Sequence, residues 1–189
     1  MLVILVTEIW GRTPHVDLMA ETLGLISNMV KVVDPYDETD QQFTNEEEAY
    51  SSFITRCGHD EYTRRVSHAV SRATEPVHLV GFSAGAGAVW ATVCEGIKDT
   101  VHDALCFYGS SIRTMLDAVP TVPVELIFPE HEPHFNVQDV VHTLREKPMT
   151  QCHTVPYGHG FMNPLSANYD SEGYKLWSQW IQNHLISFP

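Results

Sequence analysis

Positive charge is scarce in this chain: 11 Lys and Arg stand against 24 Asp and Glu, a formal net charge of −13 over 189 residues. Such a surface repels phosphate backbones and anionic lipid headgroups and favours solubility, so neither nucleic acid nor a membrane is expected as a partner. Cysteine is sparse as well. Cys57, Cys94, Cys106 and Cys152 follow no CxxC spacing, and three of them sit in apolar surroundings of the kind that bury small thiols. A reduced, cytoplasmic setting is the expectation. No stretch reaches the roughly 20 apolar residues that a membrane helix requires. The apolar start, MLVILVTEIWG, lacks the basic opening and small-residue cleavage site of a signal peptide and reads as a buried strand. Internal repeats, low-complexity segments and linkers are also missing. With 43% hydrophobic residues, the chain is expected to form one domain over residues 1–189.

What is present is alternation. Short apolar, β-branched runs take turns with stretches of helical periodicity, the pattern of a mostly parallel central sheet with crossover helices on both faces. Five or six strands are expected: Leu2 to Val6, Val30 to Val33, Val77 to Val80, Asp103 to Tyr108, Val122 to Phe128, and a short one near His153 to Val155. Helices are expected from about His15 to Leu25, Asp60 to Ala73, Ala84 to Glu95, Val137 to Glu146 and Tyr169 to Ile186. From Tyr36 to Glu75 the sequence is polar and acidic and the least readable.

Parallel sheets of this kind bind ligands at the carboxyl ends of their strands. Glu8, Ser83, Glu132 and His159 all fall just after expected strands. Gly81-Phe82-Ser83-Ala84-Gly85 follows one strand and opens a helix, the context in which GxSxG marks a nucleophile elbow and an α/β-hydrolase fold. Gly81, Gly85 and the small run Ala84 to Ala88 suit a strained turn where backbone segments nearly touch. The N–H of Ala84 would then face a developing oxyanion at a helix start. A serine hydroxyl needs a base. In this fold the order is nucleophile, acid, base, and Tyr157-Gly158-His159-Gly160-Phe161 follows the last core strand. His153, inside a strand, is the rival and reads as a packed or edge histidine. The acid should follow Val122 to Phe128, where Glu130 and Glu132 both stand; Glu132 is preferred. His131 and His134 share that segment, but Pro133 between them opposes a regular helix and no ligand set is completed. No metal and no cofactor are expected.

Together these segments resemble the dienelactone hydrolase family over most of the chain. VTEIWGRTPHVDLMAETL, VVDPY, GFSAGA, CFYGS, VPVELIFPEHEPHF and YGHGFMNP correspond to its first strand and helix, the segment after the next strand, the elbow, the strand after the elbow, the acid-bearing loop and the histidine loop. Glu132 falls where the family usually has aspartate. The resemblance implies Glu8 as an active-site glutamate and Ile9 as the second oxyanion donor, although Glu8 could equally be an exposed carboxylate. The namesake enzymes carry cysteine where Ser83 stands, and a serine relies on its histidine throughout. They also hold an anionic lactone with arginines, one of them shortly after the histidine loop, where this chain has Asn163 and Pro164. Arg56, Arg64, Arg65 and Arg113 are the candidates to replace it, each more commonly a solvated charge.

The expected activity is hydrolysis of a small-molecule ester or lactone in a fairly open site, because the short region before Val77 leaves only a reduced cap. A thioesterase or peptidase would keep the same catalytic residues, and a ligand-binding module would keep the fold without turnover. Trp10, Phe161 and Met162 are read either as pocket lining or as core. Assembly as a homodimer stays open.

Overall fold

The computed structural model describes residues 1–37, 41–96 and 100–187. Six strands form one parallel sheet, β1 (Leu2–Val6), β2 (Met29–Val33), β3 (Val77–Phe82), β4 (Val101–Phe107), β5 (Val124–Pro129) and β6 (Thr150–Val155), in the order β2-β1-β3-β4-β5-β6. Parallel strands covered on both faces read as unbroken apolar runs, and all five residues of β1 are buried. Its side chains alternate: Leu2, Ile4 and Val6 enter one core, Val3 and Leu5 the other.

The first core is closed by α2 (Glu46–Arg56), α3 (Gly58–Ser71), α4 (Ala84–Cys94) and α5 (Val137–Arg145), through Phe53, Tyr62, Val66, Trp90 and Leu144. The second is closed by α1 (Pro14–Gly24) and α6 (Ser171–Ser187), through Val16, Met19, Leu23, Trp177, Ile181 and Leu185. In α3 the buried residues Tyr62, Val66, Ala69 and Val70 recur at helical spacing. The α/β-hydrolase fold expected from the sequence is therefore the fold observed, with helices on both faces. Among the described residues no helix is long and apolar enough to cross a membrane.

The differences lie where apolar signal is thin. Helix α2 escaped the sequence reading because only Ala49 and Phe53 are buried in it. What defines it is its start, where Asn45 Oδ1 accepts from the Glu48 N–H at 2.9 Å and three glutamates occupy the first turn, a side-chain cap with favourable charge at the helix dipole. Edge strand β6 begins at Thr150 rather than His153, since its first turn of sequence is polar. A 3-10 helix at Ser110–Thr114 follows β4.

One polar cluster is built into the second core. Asp103 on β4 receives His78 Nδ1 from β3 and His184 Nε2 from α6, both at 2.6 Å. This ties the last helix to the sheet.

Candidate active site

Ser83 sits between β3 and α4 with φ 51° and ψ −115°, a left-handed conformation that a non-glycine residue holds only at a cost of about 1–3 kcal/mol. The surroundings impose it. The Ser83 N–H donates to the Phe107 carbonyl at 2.9 Å and its own carbonyl accepts from Gly87 at 3.2 Å. A Cβ at Gly81 would lie 2.8 Å from the Gly85 carbonyl oxygen, and one at Gly85 would overlap the carbonyls of Thr7 and Val6. Two glycines thus let α4 start against β1 and raise the serine above the sheet edge.

Ser83 Oγ lies 2.9 Å from His159 Nε2, and His159 Nδ1 lies 2.7 Å from Glu132 Oε1. A carboxylate only accepts, so Nδ1 carries the ring hydrogen and donates it to Glu132, and in the neutral ring Nε2 is left to accept from Ser83. The histidine loop is fixed from behind: Asn168 Nδ2 and Ser166 Oγ donate to the His159 carbonyl at 3.1 and 3.3 Å, and Gly160 takes φ 78°. Glu132 is held by an antiparallel bridge to Phe135, and its side chain is only 4% exposed. Glu130, His131 and His134 are exposed. His153 Nε2 bonds Glu125 at 2.7 Å and packs against Trp177 and Trp180.

Glu8 is a buried carboxylate, which removes the exposed alternative of its two readings. The Tyr108 hydroxyl donates to its Oε1 and the Asn163 side-chain amide to its Oε2, each at 2.7 Å. Burial pushes its carboxyl above the usual glutamate value; those two donors pull it part of the way back. The loop that carries Glu8 and Ile9 is anchored by buried tyrosines. Tyr62 Oη lies 2.8 Å from the Thr7 carbonyl, and Tyr36 Oη donates to the Ile9 carbonyl at 2.6 Å. Trp10 is core, in the cluster shared by α2 and α3. Phe161 and Met162 belong to the other core, and Met162 also walls a small cavity beside Glu8, Phe82 and Tyr108.

Burial alone would lower the His159 pKa, yet the hydrogen bond and charge of Glu132, with the charges of Glu8 and Glu46, raise it above the ordinary histidine value. The arginines are engaged. Arg56 reaches Gln41 and covers the Tyr36 ring, Arg64 pairs with Glu61, and Arg65 pairs with Asp37 and Glu61. Of these four, Arg113 alone meets the site, donating to the Ser110 carbonyl at 2.6 Å.

Three residues at this edge carried no site assignment in the sequence reading: Tyr108, Ser110 and Asn163. The signal was there for the first two, since both lie within three residues of the end of β4 at the same carboxyl edge. For Asn163 there was only its position in the histidine loop.

Residues 1–184 match the dienelactone hydrolase family. The chain belongs to that family. It is accordingly a hydrolase acting on ester bonds. It is 29% identical over 181 residues to the uncharacterized protein YczH of Bacillus subtilis (strain 168), covering 89% of this chain and 84% of that one. Among solved structures it is similar to a candidate dienelactone hydrolase from Klebsiella pneumoniae, with TM-score 0.75 and 16% identity over 99% of this chain and 87% of the other. It is also similar to a dienelactone hydrolase-like promiscuous phosphotriesterase from metagenomic libraries, with TM-score 0.72 and 15% identity over 97% and 84% of the two chains. Likeness at these identities speaks for the shared fold.

Proposed function

We propose that this family member cleaves a small carboxylic ester or lactone through an acyl-enzyme, with Ser83 as nucleophile, His159 as base and Glu132 as the acid that orients it. The observation that carries this reading is the continuous hydrogen-bond chain from Ser83 Oγ through the imidazole to Glu132, at 2.9 and 2.7 Å. Ser83 Oγ attacks the carbonyl carbon while Nε2 takes its proton, and the imidazolium gives that proton to the leaving alkoxide as the ester bond breaks. Water then repeats the sequence on the acyl-enzyme, with Nε2 as base and Ser83 Oγ as leaving group. The N–H of Ala84, first in α4 and without an intrahelical acceptor, and the N–H of Ile9 on its tyrosine-anchored loop would hold the oxyanion. Glu8 adds negative charge beside the imidazolium that forms in each half.

Hydrolysis of an aryl acetate by three variants tests this. Ser83→Ala should lose on the order of 10⁴-fold or more in kcat while remaining folded. Glu132→Gln should lose strongly and Glu130→Gln should stay near the parent rate. A loss confined to the Glu130 variant would reassign the acid, and an active Ser83→Ala would end the proposal.

A further inference from the structure

The pair formed by Glu132 and His159 has a third member. Ser110 Oγ lies 2.9 Å from Glu132 Oε1 and 3.1 Å from His159 Nδ1, closing a triangle whose remaining side is the 2.7 Å contact between those two atoms. A hydroxyl has one proton to give. When Nε2 accepts from Ser83, Nδ1 carries hydrogen and cannot accept, so Ser110 must donate to Glu132 and turn a lone pair toward Nδ1–H. We propose that Ser110 is a positioning residue for ester hydrolysis, locking the Glu132 carboxylate onto Nδ1 of His159 and fixing the imidazole tautomer. The proposal rests on the triad reading above.

The chemistry of the acid explains the need. Glutamate reaches its partner through one more rotatable bond than aspartate, so its carboxylate has more ways to swing off Nδ1. A second donor on the oxygen that faces the histidine removes that freedom. Ser110 is itself fixed: its N–H donates to the Tyr108 carbonyl at 3.0 Å, Arg113 Nη1 holds its carbonyl at 2.6 Å, and Tyr108 turns the chain with φ 40°. The hydroxyl therefore arrives from a rigid corner after β4. Its hydroxyl bonds are to Glu132 and His159, so it acts through the dyad.

The test is steady-state hydrolysis of p-nitrophenyl acetate by the parent, Ser110→Ala, Glu132→Gln, the double variant and Ser110→Thr. Loss of one hydrogen bond to a charged group predicts a kcat about ten- to hundredfold lower in Ser110→Ala, with KM nearly unchanged. Ser110→Thr, which keeps the hydroxyl, should recover much of that rate. In the Glu132→Gln background, Ser110→Ala should cost no more than about a further twofold, because the group it positions is already gone. Parent kcat in Ser110→Ala, or the same fold-loss in both backgrounds, would overturn the assignment. Parent rate in Glu132→Gln alone would instead bring down the triad reading on which it rests.

Discussion

At the scale of single residues, the base must be neutral to take the proton of Ser83, so kcat/KM falls as His159 becomes protonated. The carboxylates around it raise its pKa above 6.5, which places the acid limb of the pH profile above that value. Glu8→Gln removes one negative charge that favours the imidazolium and should move the limb to lower pH. Glu8 contributes its charge only above its own raised pKa, so the two profiles should converge in acid. A limb that stays in place or moves up would take Glu8 out of the electrostatics of the base. The strain at Ser83 gives a second expectation. Glycine accepts φ 51° more readily than alanine, so Ser83→Gly should be more stable than Ser83→Ala by about 1 kcal/mol in urea unfolding; equal midpoints would mean that the turn is not strained. Glu8 was legible as a carboxylate after a strand and, through the family resemblance, as an active-site glutamate. Its burial, and its partners Tyr108 and Asn163, depend on contacts 100 and 155 residues away, which no local pattern reports.

At the scale of elements, the site depends on α4 starting hard against β1. Gly85→Ala should destabilise the fold by about 1–3 kcal/mol or more, because the new methyl meets the backbone carbonyls of Thr7 and Val6 rather than a yielding side chain. Gly24→Ala, in α1 with open space around it, should be neutral or slightly stabilising and serves as the control. Similar effects of the two would deny the close approach. On the far side of the sheet, burial works to raise the Asp103 pKa, but the hydrogen bonds from His184 and His78 prevail and leave it below 3.8. A depressed carboxyl stabilises the fold above its unfolded value, and that stabilisation is lost as pH falls through the folded one. Asp103→Asn should therefore narrow the stability difference between pH 6 and pH 3; an unchanged difference would show that the clasp of α6 does not titrate there. Strongly patterned elements such as β1 and α3 were readable because their buried residues repeat. Helix α2 was not, since its cap and its glutamates define it more than its apolar face.

At the scale of the whole molecule, residues far apart in sequence meet because the sheet is parallel and its carboxyl edge is common to every strand. That rule gathered Glu8, Ser83, Glu132 and His159 from sequence alone, and the fold class followed from alternation. It could not supply the second hydrogen bond to Glu132 Oε1, which depends on the 3-10 turn after β4, nor decide which partners the arginines take. The chemistry at this edge turns on Ser83 being an activated nucleophile. The most direct measurement is reaction of the purified protein with a fluorophosphonate probe, with the adduct located by mass spectrometry. A single adduct on Ser83, lost in His159→Ala, is expected. Folded protein that remains unlabelled, or labelling on another residue, would contradict it.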